Sequence, residues 1–176
     1  MVASPPACPV HVVGKRVEDA AGRTTYRYPG NFVPRAEIRC SGRVVWVLLH
    51  GGGASNQELY LGLRSSDRGR IWKLLLAEPY FGIKAPFMIE SYSGPWTIVG
   101  QNAAYFVGWC PVCTPYGTVS LTVTLDGGRH FHRYQVPLLN DFRATSVTVA
   151  GDDVAITAES MLRVGPRTRT AVVDVR

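Results

Sequence analysis

The sequence predicts an all-β fold of repeated four-stranded antiparallel units. Three observations carry that expectation. No segment shows the apolar spacing of an amphipathic helix of ten or more residues. Eighteen Gly and 12 Pro among 176 residues, with many Val and Thr, favour strands joined by tight turns. The chain also repeats itself. Residues 36–50 (AEIRCSGRVVWVLLH) align without a gap on 96–110 (WTIVGQNAAYFVGWC), setting Ile38 on Ile98, Val45 on Tyr105, Trp46 on Phe106 and Val47 on Val107.

Each copy reads as a short strand, a polar turn (Ser41 and Gly42; Gln101 and Asn102) and a second, more apolar strand. That is a hairpin signal. Third strands follow at 58–65 and 118–124, and fourth strands at 71–77 and 130–136. A third copy starts at 147–157, where Gly151 matches Gly42, continues at 169–175 and stops before its fourth strand. The units fall at about 35–79, 85–137 and 143–176. Strand candidates at 10–15 and 24–30, within an N-terminal segment 1–34, are placed to supply the missing strand of the last unit. Four short antiparallel strands recurring every 50–60 residues are the signature of propeller blades. A blade cannot bury both faces alone and must stack on a neighbour. The expected fold is thus a partial, about three-bladed β-propeller; the alternative is a β-sandwich.

Between the third and fourth strands the first two copies carry matched motifs: SSDRGRIW, with Ser65, Asp67, Gly69 and Trp72, and TLDGGRHF, with Thr124, Asp126, Gly128 and Phe131. A short carboxylate accepts backbone N–H groups and holds such a turn closed, Gly permits φ > 0 where the chain reverses, and the aromatic covers the hairpin. The first motif resembles the Asp-box, S-x-D-x-G-x-T-W, of the sialidase/BNR-repeat family, with Ile71 in place of Thr. The second resembles a degenerate copy, with His130 in place of Thr. The resemblance spans roughly residues 32–176. It implies that these eight box residues are structural and lie on the rim opposite the active face.

Catalytic members of the resembled family clamp a substrate carboxylate with three Arg and use a Tyr activated by Glu, with an Asp as acid/base. Their first-strand R-I-P motif is not reproduced here; the nearest text is FVPR at 32–35, with Val33 where the arginine stands. No Tyr/Glu pair can be assigned, and the catalytic residues are unknown. The expected function is a non-catalytic sialidase-like module that binds a glycan or a protein partner. The alternative is an exo-sialidase-like glycoside hydrolase completed by another copy or a longer chain. The candidate binding rim carries the connections 50–57 and 110–117, with His50, Asn56, Trp109 and Tyr116, and with Arg35, Arg39 and Arg143 near inner-strand positions.

Two motifs tempt toward other chemistry. His50-Gly51-Gly52-Gly53 resembles a lipase oxyanion loop, but no G-x-S-x-G elbow exists, and SYSGP at 91–95 lacks the first Gly. The glycines read as a flexible hairpin connection. GWCPVC resembles a thioredoxin motif, but Cys113 precedes Thr-Pro-Tyr-Gly and another strand instead of lying in a helix. A zinc site of Cys110, Cys113, His130 and His132 has suitable residue types, but the repeat puts the two pairs at opposite ends. No cofactor or metal is expected.

The net charge is +6, with 16 of the 19 basic residues Arg and no block of five like charges, and no recognition motif points to nucleic acid. No apolar run approaches a membrane span. Residues 1–9 lack the pattern of a signal peptide. Four Cys allow three pairings. Most relatives with these boxes are extracellular, so the resemblance implies an extracellular or cell-surface protein in which Cys110 pairs with Cys113 and Cys8 with Cys40. An open arc would expose an apolar sheet face at each end, and two copies would give about six blades, so a homodimer would close the ring.

Overall fold

The computed structural model describes residues 8–54, 57–78, 82–88, 92–110, 113, 117–161 and 167–176. Among these residues fifteen strands form four small sheets, and there is no α-helix, only a 3-10 turn at Pro137–Leu139. The first sheet is β1 (Val10–Val13), β2 (Arg16–Asp19) and β3 (Thr24–Arg27). The second is β4 (Arg35–Ser41), β5 (Val44–Ala54), β6 (Gln57–Ser65), β7 (Lys73–Ala77) and β8 (Phe87–Met88). The third is β9 (Tyr92–Val99), β10 (Ala103–Cys110), β11 (Thr118–Thr124) and β12 (His132–Gln135), and the fourth is β13 (Phe142–Ala150), β14 (Asp153–Ser160) and β15 (Thr168–Asp174). All pairings are antiparallel except that of β7 with β8.

The sheets stack as four layers, because β5 and β10, the middle strands of the second and third sheets, are apolar on both faces. Val45, Val47 and Leu49 of β5 pack with Val10, Val17 and Tyr28 of the N-terminal segment. The alternate residues Val44, Trp46 and Leu48 pack with Trp96, Ala104 and Phe106 of the third sheet. Tyr105 and Val107 of β10 then pack with Phe142, Val154 and Ile156 of the fourth. Each fully buried Leu, Val or Phe contributes about 1.5–3 kcal/mol. The inner strands run close together, β4 beside β9 and β9 beside β13.

Three expectations are corrected. First, the N-terminal strands do not complete the fourth sheet. They pair among themselves and cover the open face of the second, and the fourth sheet keeps three strands. Second, the ungapped alignment is one residue out of step. Val45 pairs with Ser65 and Ala104 pairs with Thr124, so Val45 corresponds to Ala104 and Trp46 to Tyr105. A one-residue slip moves a side chain to the other face of a strand. In the corrected register Val45, Ala104 and Val154 all face the preceding sheet. The first-to-second-strand connections differ in length, Ser41 being opposite Val44 across two residues and Val99 opposite Ala103 across three, so no ungapped alignment fits both strands.

Third, the outer faces of the terminal sheets are polar. On β1–β2, Glu18 lies 3.0 Å from Arg16 Nε and 3.3 Å from His11 Nε2. The outer face of the fourth sheet carries exposed Arg143, Thr145 and Thr148, and Thr157 and Thr170 hydroxyls 3.3 Å apart. Among the described residues neither outer face is a continuous apolar surface, although Val172 is exposed on the fourth sheet.

Candidate functional site

Strand directions give the stack two unlike ends. At one end lie the connections between third and fourth strands. Ser65 Oγ donates to Asp67 Oδ1 (2.6 Å) and accepts the N–H of Gly69 (2.8 Å), while Asp67 Oδ1 accepts the N–H groups of Arg70 (3.2 Å) and Ile71 (3.0 Å). The turn at 124–131 repeats these four bonds. Thr124 Oγ1 donates to Asp126 Oδ1 (3.0 Å) and accepts Gly128 N–H (2.8 Å), and Asp126 Oδ1 accepts from Arg129 (2.9 Å) and His130 (3.0 Å). Gly69 and Gly128 share φ = 85°, a conformation that strains any other residue. The hydrogen bond from Ser65, then the N–H of Ile71, lowers the Asp67 pKa. Asp126 is lowered too, chiefly by the N–H of His130. Both carboxylates are thus committed to their turns. Trp72 Nε1 donates to Thr25 Oγ1 of the first sheet (2.9 Å), and Phe131 stacks on Phe87 at 5.0 Å.

At the opposite end stands the triple glycine, which is strand and not loop. β5 runs through it, with a register shift between His50 and Gly53. Gly51 is required because a Cβ there would fall on the Tyr28 hydroxyl, and Gly52 takes φ = 85° at the irregularity. Strand alternation puts His50 on the same face as Val44, Trp46 and Leu48, toward the third sheet.

His50 is only 4% exposed, so it is no open rim residue. Its Nδ1 lies 3.0 Å from Glu58 Oε1, its Nε2 lies 3.5 Å from Glu37 Oε1, and its ring stacks on Tyr60. Glu37 also accepts from Arg35 (2.7 Å) and, through Oε2, from Trp96 Nε1 (2.8 Å). The Arg39 guanidinium lies 5.0 Å over the Trp96 ring. The cluster therefore joins β4, β5, β6 and β9 across the crevice between the second and third sheets. It holds two carboxylates beside an imidazole, with two guanidinium groups at the outer edge. Glu78, fully buried, donates its backbone N–H to the Tyr60 carbonyl (3.3 Å).

The structure brings together Arg35, Arg39 and His50 of the expected rim. Arg143 lies apart, exposed on β13 opposite Glu159. Trp109 is half-buried against the core between the third and fourth sheets. Asn56 and Tyr116 lie outside the described residues. Glu37, Glu58 and Trp96 were not singled out from the sequence. They come from three strands, and only the positions of Glu37 opposite Leu48 and of Glu58 opposite Gly53 put them beside His50.

Disulfides join Cys8 to Cys40 and Cys110 to Cys113, one at each end of the stack. Bonded sulfurs are not thiolate ligands, and His130 is engaged with Asp126 Oδ2 (2.6 Å) at the other end, which removes the Cys/His zinc arrangement. Among the described residues no group of three or more His, Cys, Asp or Glu is arranged to hold a metal ion. No helix there is long and apolar enough to cross a membrane. Comparison with known protein families, with curated proteins and with solved structures finds no match.

Proposed function

We propose that the chain is a sialidase-like, Asp-box β-propeller module that binds a glycan or a protein partner without hydrolysing it. One observation carries this reading: the turns at 65–72 and 124–131 make the same hydrogen bonds at the same place in successive sheets that face the same way. Local closure of this kind explains the Ser/Thr-x-Asp-x-Gly pattern without any catalytic role for the carboxylates. The face opposite these turns is the binding face, with Arg35 at that end and Arg39, over the buried Trp96 ring, part-way along β4 at the join of the second and third sheets.

The acidic and basic groups there favour binding over hydrolysis. Arg35 is paired with Glu37, and Arg39 with the Trp96 ring. Arg143, on another sheet, does not join them, so a three-arginine clamp is not assembled within one copy. The two disulfides suit an extracellular or cell-surface setting, where such bonds persist. A glycan array with the intact protein tests binding, and a fluorogenic sialoside tests hydrolysis. The expected result is retention of a defined glycan class, lost in Arg39→Ala, with no turnover. Turnover of the sialoside would replace the binding module with the hydrolase.

A further inference from the structure

At the turn end, away from the crevice, a solvent-open groove of about 530 Å³ runs between the first and second sheets. Its walls are Asp19, Arg23, Thr24 and Thr25 from the β2–β3 connection, and Arg70 from the turn at 65–72. The first wall is held rigidly. Asp19 Oδ1 accepts the N–H groups of Ala21 (2.9 Å) and Arg23 (3.0 Å), and its Oδ2 accepts Arg23 Nε (2.9 Å) and Nη2 (2.8 Å). The hydrogen bond from Arg23 lowers the Asp19 pKa. Thr25 is fixed by the Trp72 indole (2.9 Å) and by its own donation to the Val17 carbonyl (3.3 Å).

This leaves a specific imbalance. The Asp19 carboxylate is satisfied by backbone and by one edge of Arg23, and Asp67 is satisfied within its own turn. Arg70 is exposed and forms no ion pair among the described residues. The same holds for its neighbours at this end, Arg43 and Arg68, which are linked by the Arg68 N–H to the Arg43 carbonyl (2.9 Å), and for Arg129 on the next turn. Arg70 in a groove with threonine hydroxyls, with exposed Arg43, Arg68 and Arg129 on turns at the same end, suits an extended ligand with repeated negative charge. A guanidinium binds such groups through paired N–H donors.

We propose that this groove binds the sulfate or carboxylate groups of an acidic polysaccharide, with Arg70 and the free edge of Arg23 as the central contacts and the other exposed arginines of this end adding favourable charge. The site shares no residue with the crevice that carries Arg39 and Trp96, so the two readings fail independently. The Arg39→Ala variant reports on one and Arg70→Ala on the other.

The test is titration of the intact, disulfide-bonded protein with heparin, hyaluronan, dextran and single-stranded DNA at fixed ionic strength, followed by calorimetry and tryptophan emission. Heparin, the sulfated probe, or hyaluronan, the carboxylated one, should bind, and dextran should not. Arg70→Ala should weaken binding about tenfold, as expected for loss of one charge-assisted paired contact. Arg27→Ala removes the same charge from the other end of β3 and should change affinity far less. The emission change should vanish in Trp72→Phe, since that indole touches the groove wall. Equal losses in Arg70→Ala and Arg27→Ala would overturn the site in favour of diffuse net charge. Binding of DNA as tight as that of the acidic polysaccharides would overturn the ligand class, and absence of binding to either polysaccharide would overturn the proposal outright.

Discussion

The two ends of the stack are built by different rules. At the turn end, each turn closes within eight contiguous residues, and its carboxylate bonds to chain no more than four residues away. At the opposite end, Glu37, His50 and Glu58 meet through the pairing of β4, β5 and β6, distant in sequence, and Trp96 joins them only because the third sheet packs on the second. The difference separates order encoded locally from order that depends on the whole fold. It predicts that damage at the turn end stays local, while damage at the crevice end reaches the sheet interface.

The largest test of that contrast uses the disulfides. Cys8–Cys40 spans 32 residues and ties the first sheet to β4, whereas Cys110–Cys113 spans three. Chain-entropy reasoning gives about 3–4 kcal/mol for the long loop and about 2 kcal/mol for the short one. Thermal melts of Cys8→Ser/Cys40→Ser and Cys110→Ser/Cys113→Ser variants should therefore differ, with the first losing more. If the short bridge proves the more costly, the first sheet is not the weakly attached layer that its three short strands suggest.

A smaller effect is expected in the crevice. His50→Ala removes the group that lies between two largely buried carboxylates and leaves space against Tyr60. Stripping a partner from such a cluster should cost about 2–3 kcal/mol, less than for a fully buried pair because Glu37 and Glu58 keep some contact with water. Denaturant unfolding of His50→Ala and of the double variant His50→Ala/Glu37→Gln checks it. The double variant should recover part of the loss, since one of the two carboxylates left behind is then uncharged and the repulsion between them is relieved. No recovery would mean that His50 acts by filling volume alone.

The same contrast explains what was legible in the sequence. The turns could be read because all their partners lie in one eight-residue window, down to the Ser/Thr exchange at 65 and 124. The strands and their apolar alternation were legible for the same local reason. The register between copies was not, because a three-residue connection replaces a two-residue one and reverses which face each side chain shows. Nor was the fate of the N-terminal strands. Their pattern marks them as strands, but only Val10, Val17 and Tyr28 packing on Val45 and Val47 decides which sheet they cover. His50 looked like a loop residue because three glycines follow it. The need for Gly51 is set by Tyr28, 23 positions upstream, which no local window contains.

The smallest expected effect sharpens the local half of the contrast through pH. Asp67 and Asp126 are both depressed below the ordinary aspartate value, the first chiefly by the Ser65 hydroxyl and the second by the His130 N–H. A group whose folded pKa lies below its unfolded pKa stabilises the fold above the unfolded value, near 3.9 for Asp. That contribution is lost as pH falls through the folded value. Melting temperature should therefore vary little from these groups between about pH 7 and 5 and fall below about pH 4. Asp67→Ala removes three acceptor bonds from one turn and should cost about 1–2 kcal/mol at neutral pH. It should also flatten the acid limb, because its carboxylate no longer contributes there. Asp67→Ala/Asp126→Ala should flatten it further, by close to the sum of the single changes. The turns sit on different sheets and share no hydrogen bond, and independent sites add. Additive losses would confirm that each turn closes by itself. A double variant far worse than that sum would show that the two turns are coupled through Arg64, which reaches from β6 to the Gln101 carbonyl (3.3 Å) across the sheet interface.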